Sequence, residues 1–337
     1  MEFTMSGRLE VRITPDDVGK RVSVRSVADP GERAGTLTDT VGVLTSWTAE
    51  VVHITRRDGE TVRIPEGRIV AAKVVPAAPA RRRGLPAAGF TELARAAARG
   101  WPPVESARLG DWELRASGGF TRRANSVLPL GDPGLPLDAA LEHVVDWYTR
   151  RGLPPFMQVS TGAEGTDEQL AAALDERGWR REVSAEVWIA GLAPAADAAE
   201  QAAVPAAVTL DRAPGPAWLR RYGRAGDPVP DAVKVLAGGP SVWFATVAGE
   251  DDVPAAIGRC AVDGRWAGFT CVEVAPERRR EGLATAVMAA LAQRALDEGA
   301  SAAYLQVESD NAAALTLYDR LGFARHHGYH HYRAPRG

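Results

Sequence analysis

The residues best suited to chemistry form a basic turn in the stretch VAPERRREGLATAV, where Arg278 to Arg280 precede Gly282 and an apolar helical pattern. The first turn of a helix leaves several backbone N–H groups without intrahelical partners and carries partial positive charge. Gly282 lets the backbone approach a ligand with no Cβ in the way, and Arg279 and Arg280 add full charges. The spacing Arg-x-x-Gly-x-Ala therefore predicts an anion site, with phosphate as its natural occupant, at residues 279–285.

This turn differs from two common phosphate-binding loops. No Gly-Lys-Ser/Thr sequence follows it, which excludes a Walker loop, and the Rossmann pattern G-x-G-x-x-G is missing. A strand is predicted before the turn at residues 265–274, and a helix after it at residues 283–298. The order is therefore strand, Val-x-Pro, Arg-x-x-Gly-x-Ala and helix.

A second motif, LQVESDNAAALTLYDRLGF, begins its helix at Asn311, 29 residues after Gly282. Asn311 and Tyr318 are seven residues apart, so they lie about two helical turns apart on one face. The alternative is that Asn311 caps the helix and Tyr318 packs in the core. In this order, the two motifs resemble those of the GCN5-related N-acetyltransferases, which use acetyl-coenzyme A. The resemblance is good over residues 204–337 and faint over 85–192.

The resemblance implies a role for each motif. The backbone from Val272 to Val274 would hold the pantetheine arm and the acetyl carbonyl. The N–H groups of the basic turn would hold the pyrophosphate, Asn311 would bond the pantetheine, and Tyr318 would protonate the leaving thiolate. The residues implied to contact the cofactor are Val272, Glu273, Val274, Arg279, Arg280, Glu281, Gly282, Leu283, Ala284, Thr285, Asn311 and Tyr318.

The general base is not fixed by the sequence. In the branch that acetylates ribosomal proteins, a glutamate five residues before the asparagine is the base, but here that position is Gln306, which cannot accept a proton. Glu273 and Glu308 are the candidate catalytic bases in its place, and a chain of water molecules is the alternative. An α-amino group, with a pKa of about 8, loses its proton more easily than a lysine side chain at about 10.4.

An internal repeat relates two parts of the chain. FMQVS…AAALDERGW at residues 156–179 matches YLQVE…LTLYDRLGF at residues 304–323 in the order strand, helix, glycine and aromatic residue. The first copy has Leu174 where the second has Tyr318, and its GDPGLPLDAA stretch lacks Arg-x-x-Gly-x-Ala. We therefore expect the first copy to bind no cofactor, to pack against the second copy and to wall the substrate cleft.

The layout predicts a mixed α/β (α+β) protein with tandem acetyltransferase-like domains, the first degenerate, preceded by a small SH3-like β-barrel. Short strands rich in β-branched residues and an Asp58-Gly59 hairpin turn indicate the barrel. This layout resembles an actinobacterial subgroup of the family, some members of which are named N-acetylglutamate synthases. The predicted segments are the barrel at 1–76, a linker at 77–89, the degenerate domain at 90–192, a linker at 193–206 and the catalytic domain at 207–337.

Composition limits the classes of partner and compartment. The net charge of −3 does not favour a polyanion, so no nucleic acid is expected, although Arg81 to Arg83 form a basic triplet. Cys260 and Cys271 are too few for a disulfide framework and fit a reducing compartment. No apolar stretch reaches 18 residues, and no signal peptide is recognised, so we expect a cytoplasmic bacterial protein without a membrane partner.

The acceptor is the open question. The first hypothesis is transfer of acetyl from acetyl-CoA to a primary amine of a small molecule or amino acid, L-glutamate included. The alternatives are an N-terminal acetyltransferase of proteins or peptides and a non-catalytic acyl-CoA sensor. Arg220, Arg221 and Arg224 could meet a substrate carboxylate or simply be surface charges. The HHGYHHY stretch is expected to line a strand surface or cleft rather than bind a metal, and the oligomeric state is left open.

Overall fold

A computed structural model describes residues 11–27, 37–48, 50–56, 60–75, 84–198, 207–223, 230–249 and 252–335. The chain divides into two compact units, one comprising residues 1–80 with 296–299 and the other 81–295 with 300–337. None of the described helices combines the length and apolar character needed to span a lipid bilayer.

The N-terminal unit is a six-stranded sheet. Its strands are β1 (Val11–Arg12), β2 (Arg21–Val27), β3 (Leu37–Thr48), β4 (Val51–Thr55), β5 (Thr61–Pro65) and β6 (Ile69–Val74). They lie in the order β1-β6-β2-β3-β4-β5, and only β1 and β6 are parallel neighbours. Val22, Val24, Val52 and Ile54 are fully buried at alternate positions, which explains the β-branched pattern. The predicted Asp58-Gly59 turn lies outside the described residues.

The second unit is a mixed α/β structure. Its strands are β7 (Glu105–Leu109), β8 (Trp112–Ala116), β9 (Leu128–Pro129), β10 (Phe156–Thr161), β11 (Arg180–Gly191), β12 (Val208–Asp211), β13 (Val242–Val247), β14 (Ala256–Asp263), β15 (Trp266–Val274), β16 (Ala302–Glu308) and β17 (Ala324–Arg333). Its helices are α1 (Phe90–Gly100), α2 (Leu137–Thr149), α3 (Glu168–Glu176), α4 (Leu192–Asp197), α5 (Pro216–Arg221), α6 (Pro230–Ala237), α7 (Leu283–Asp297) and α8 (Ala312–Arg320).

Strands from both copies of the repeat form one eight-stranded sheet in the order β10-β17-β11-β16-β15-β14-β13-β12. The last strand of the second copy, β17, lies between β10 and β11 of the first copy. Reciprocally, β11 lies between β16 and β17. The copies were expected to pack against each other, and the structure shows that they exchange strands within one sheet. Strands β7, β8 and β9 form a separate small sheet.

Helices cover both faces of this sheet at the junction of the copies. Leu93 and Ala96 of α1 pack with Val187 and Tyr329 on one face. Tyr332 belongs to the core cluster of α2 and α3, and it lies on the opposite face because strand residues alternate between faces. The face of the sheet that packs against α1 therefore carries the odd-numbered residues of the C-terminal half of β17.

The strand predicted at residues 265–274 and the helix predicted at residues 283–298 are confirmed as β15 and α7, and each differs by one residue at one end. The linker predicted at residues 193–206 is interrupted at its start, because α4 occupies Leu192–Asp197 and buries Leu192, Ala193 and Ala195. A run of alanine and leucine in this composition has the helix propensity and apolar surface to do so. Of the first predicted linker, residues 84–89 are described, and they form no helix or strand.

Candidate active site

Strands β15 and β16 are parallel neighbours that separate before they end. Their register runs from Trp266–Ala302 to Phe269–Leu305, whereas β15 continues to Val274 and β16 to Glu308. Among the described residues, no strand pairs with β15 or β16 on that side beyond the last pair. The backbone groups there can bind an extended ligand in the way that a sheet edge binds an added strand.

A β-bulge in β15 begins where the two strands separate. Ile257 of β14 pairs with Glu273 and Arg259 pairs with Thr270, so β15 has one extra residue in this interval. Cys271 has a φ of +55°, which is uncommon for a residue with a side chain. Opposite the bulge, a Cβ on Gly258 would lie 2.4 Å from Val287 of α7. The glycine therefore allows α7 to pack closely behind the opening.

The basic turn leads from this bulged strand into α7. Arg280 and Gly282 have φ values of +69° and +83°, and the space around a Cβ on Gly282 is open. The glycine is thus required by its backbone conformation. Ala286 donates to the carbonyl of Gly282, 3.0 Å away, as the first turn of α7 forms. The N–H groups that precede Ala286 are those a helix leaves for a ligand.

The charges of this turn are not equivalent. Arg278 pairs with Glu281 at 2.8 Å, and its guanidinium holds the pKa of that carboxyl below its usual value. Arg279 and Arg280 are exposed and make no ion pair with any described residue. These two arginines are therefore the ones that can attract an anion, while Glu281 is neutralised by its neighbour.

Tyr318 of α8 lies near the point where the strands separate. Its ring is 5.9 Å from that of Phe323, whose ring is 6.3 Å from Phe269, the last paired residue of β15. Burial raises the pKa of Tyr318 to about 12, with Cys271 as a second cause. Tyr318 is thus a protonated hydroxyl close to the bulge at any physiological pH.

Asn311 lies at the start of α8 as a helix cap. Its Oδ1 accepts a hydrogen bond from the N–H of Ala314 at 3.1 Å, and this geometry is the capping alternative recognised in the sequence. The side-chain amide Nδ2 donates to no described residue. A ligand contact through Nδ2 is therefore compatible with the cap.

The two candidate bases lie on the separated strand ends. Glu273 is half-buried on β15 beyond the bulge, and Glu308 is exposed at the end of β16. Gln306 accepts a hydrogen bond from Arg123. Arg123 belongs to the loop before β9, so the first copy of the repeat contributes a side chain beside Gln306.

A polar cavity adjoins Gln306 on the face of the sheet under α1. The empty space between its lining residues is about 440 Å³, a figure that includes open solvent. The lining residues are Leu93, Ala94, Ala97, Ala98, Trp101, Arg115, Arg123, Leu128, Gln158, Ser160, Val187, Gln306, His327 and Tyr329. Our sequence analysis missed both arginines and α1. The only available clue was that Gln158 and Gln306 occupy equivalent positions in the repeat.

The first copy differs at the helix that corresponds to α7. The N-cap of α2 is Pro136, which has no N–H to offer, and the preceding turn contains Asp132, whose carboxylate accepts from the N–H of Gly134 at 2.7 Å. Leu174, the counterpart of Tyr318, is fully buried. The expectation that this copy binds no cofactor stays a prediction.

The histidine-rich stretch lies on β17. His327 lines the cavity and His331 is buried, whereas Nε2 and Nδ1 of His330 bond Thr161 and Ser184 on the other face. No group of three or more potential metal ligands occurs among the described residues.

Arg220 and Arg221 bond backbone carbonyls of residues 252 and 254, and Arg224 lies outside the described residues.

Solved structures define the class of the fold. A GCN5-related N-acetyltransferase from Kribbella flavida matches over 74% of this chain and 98% of its own, with a TM-score of 0.54 and 18% identity. A tandem protein of this class from the clavulanic acid biosynthesis pathway matches over 75% of this chain and 91% of its own, with a TM-score of 0.53 and 15% identity. The chain thus shares the fold of these two proteins.

Sequence relatives define the family. Residues 88–332 match the family of the C-terminal part of the probable histone acetyltransferase Rv0428c, and residues 16–73 match its N-terminal Sm-like domain. That Mycobacterium tuberculosis protein is 30% identical over 92% of this chain and 93% of its own length. The uncharacterized N-acetyltransferase YobR of Bacillus subtilis is 28% identical over 73% of this chain and 98% of its own. The chain belongs to the Rv0428c family of GCN5-related N-acetyltransferases.

The family assignment refines two expectations. The protein is an N-acetyltransferase, which leaves the non-catalytic sensor without support. Its N-terminal unit is Sm-like, where the sequence led us to expect an SH3-like domain. Membership of the family also implies the use of acetyl-CoA. This cofactor is an extended thioester with a pyrophosphate, and it fits the bulged strand and the N–H groups and arginines of the basic turn.

Proposed function

We propose that the protein transfers acetyl from acetyl-CoA to the primary amine of a small molecule or amino acid. The observation that carries this proposal is the separation of β15 and β16 beyond Phe269–Leu305, with Tyr318 on one side and the cavity at Gln306 on the other. An acyl donor and an acceptor could thus approach one point from opposite faces of the sheet.

The donor side is assigned to the second copy. Acetyl-CoA supplies the reactive thioester when it is bound. The turn of Arg279, Arg280 and Gly282 would hold its pyrophosphate through N–H groups and charge, and the backbone of residues 272–274 would bind the pantetheine arm. Asn311 would donate to that arm through Nδ2. Together these contacts fix the position of the thioester carbonyl near the bulge.

Proton transfer is assigned to two groups. Tyr318 would donate its hydroxyl hydrogen toward the departing sulfur, for which its raised pKa keeps it protonated. Glu273 or Glu308, or a chain of water molecules in their place, would accept the proton of the attacking amine. Both carboxylates belong to the strand ends that flank the opening.

Three further expectations stay proposals. The segment bounds 1–76, 90–192 and 207–337 are proposed for the three domains, although the last two share a sheet. The description of the Sm-like N-terminal unit as a small SH3-like β-barrel also stays a proposal. L-Glutamate is proposed as a candidate acceptor from the resemblance to proteins named N-acetylglutamate synthases.

Acetylation of proteins is the second candidate, because the mycobacterial relative is named a probable histone acetyltransferase. The cavity favours the small acceptor, since Leu93 and Ala97 of α1 line it, together with Trp101 directly after this helix. A protein acceptor would have to insert an amine past this helix.

One experiment tests both candidates. The protein is supplied with acetyl-CoA and a panel of amino acids, polyamines, histone peptides and peptides with free N-termini, and thiol release is measured. The proposal expects higher kcat/KM for at least one small amine than for any peptide. Turnover of peptides alone would contradict it in favour of the second candidate, and no thiol release with any amine would contradict both.

A further inference from the structure

Arg115 is a buried charge without a carboxylate partner. Only 3% of its surface is exposed, and it makes no ion pair with any described residue. Its Nε bonds the carbonyl of Ser126, and its Nη2 bonds Ser126 Oγ and Gln158 Oε1 at 3.0 and 2.9 Å. A guanidinium has five donors, so the two on Nη1 have no acceptor among the described residues. Burial of such a group is costly unless an anion joins it.

Arg123 brings a second guanidinium to the same cavity. It stacks 4.7 Å above the ring of Trp101 and bonds Gln306. It makes no ion pair with a described acid, whereas its neighbour Arg122 pairs with Glu182 at 3.6 Å. The guanidinium carbon lies over the Trp101 ring, and an arginine fork can bind a planar anion through two hydrogen bonds.

The remaining lining residues reinforce this polarity. All of them are described, and they include two arginines and no aspartate or glutamate. His331, directly across the strand pair from Gln158, is buried, and neither ring nitrogen has a hydrogen-bond partner among the described residues. The region therefore has unused donors and positive charge but no acid of its own.

We propose that this cavity binds a carboxylate of the acceptor, held by Arg115 and Arg123, so that the substrate is an amine that carries a carboxylate. The inference rests on the proposed function, because it assumes that the acceptor amine lies at the Gln306 end, beside the strand opening. It adds the anchoring group, which is contributed by the degenerate copy of the repeat.

The test compares each standard α-amino acid with its carboxamide and with the amine that lacks the carboxyl group. Hydrogen bonds to charged groups predict that the acid is preferred in kcat/KM by about 10- to 100-fold. A carboxamide makes the amine less basic and easier to deprotonate, so intrinsic reactivity works against this preference. Equal use of acid and carboxamide would overturn the inference while leaving the proposed function intact.

Arg123→Gln tests the site, and Arg122→Gln is the matched control. We expect Arg123→Gln to raise the KM for the acid about 10-fold or more. The KM for the carboxamide should stay within about twofold of its native value. Arg122→Gln is expected to leave the KM values for the acid and for the carboxamide within about twofold of native, because the Arg122 side chain is paired on the surface with Glu182. Loss of acid preference in both variants, or in neither, would overturn the assignment.

A measurement on the native protein removes the dependence on folding of a variant. Propionate, a carboxylate without an amine, is expected to inhibit competitively against the amine acceptor. If no amine releases thiol, the proposed function fails, and calorimetry with the amino acids and their carboxamides then tests the cavity alone. Heat of binding with acids but not carboxamides supports the carboxylate site, and no heat with either overturns it.

Discussion

Replacing Tyr318 by phenylalanine removes the proposed proton donor and little else. The ring that packs near Phe323 is kept, and the hydroxyl bonds no described residue, so no partner loses a hydrogen bond. We therefore expect the free energy of unfolding and the affinity for acetyl-CoA to stay close to those of the native protein. The effect should appear in kcat.

The structure sets the size of this effect. Burial raises the pKa of Tyr318 to about 12, whereas a free thiol has a pKa of about 8.5. Complete transfer of the proton is then uphill by roughly 5 kcal/mol, at 1.36 kcal/mol per pKa unit. Tyr318 should act mainly as a hydrogen-bond donor to the sulfur as negative charge develops. Such a bond is worth about 1.5–3 kcal/mol, which predicts a loss in kcat of about 10- to 100-fold.

The assay is steady-state thiol release at saturating acetyl-CoA over a range of pH. The donor form of Tyr318 is present below its pKa and is lost as pH rises through about 12. The native profile should therefore show no fall caused by Tyr318 below about pH 10, and the variant should follow the same profile at a lower rate. A kcat within about threefold of native, or a basic limb near pH 8.5 that the substitution abolishes, would refute the reasoning.

Two other predictions concern the basic turn and the buried histidines. Gly282→Ala forces a side chain onto a φ of +83°, so we expect about 1–2 kcal/mol of strain and a KM for acetyl-CoA raised about 10-fold. Gly264 lies in the β14–β15 turn at a φ of +57°, with equally open space around a Cβ, so Gly264→Ala is the matched control. This control should lose stability through strain but keep the native KM for acetyl-CoA. An equal rise in KM in both variants would contradict the assignment of the turn. Burial lowers the pKa of His331 to about 3 and of His327 to about 4, so both are neutral in the folded protein. Because the unfolded chain takes up these protons first, the free energy of unfolding should fall as pH falls below 6.5. The decrease should be roughly 2 kcal/mol per histidine between pH 6.5 and 5. Urea titrations should show this fall, with a smaller one in His331→Gln, and a flat profile would contradict it.

Local patterns in the sequence were sufficient to select the residues proposed for the donor side of the site. The arginines and glycine of the turn, and the pair Asn311 and Tyr318, are set by residue type and spacing within single elements. The repeat also emerged from local similarity. The bulge at Cys271 did not, because a positive φ at a residue other than glycine leaves no trace in composition.

The acceptor side depends on contacts that are distant in sequence. Arg123 and Gln306 are 183 residues apart, and they meet because β11 and β17 exchange places between the copies. Strand exchange depends on long-range register, which no local periodicity specifies. For the same reason, α1 could not be recognised as a cavity roof before its partners in β16 and β17 were known.

The most direct test of the account is a crystal structure of the protein with coenzyme A. The account predicts pyrophosphate density against the N–H groups of residues 280–285, with the pantetheine arm along the bulged end of β15 and the thiol near Tyr318. Density at the start of α2 in the first copy, or none at the turn around Gly282 at saturating cofactor, would contradict the account.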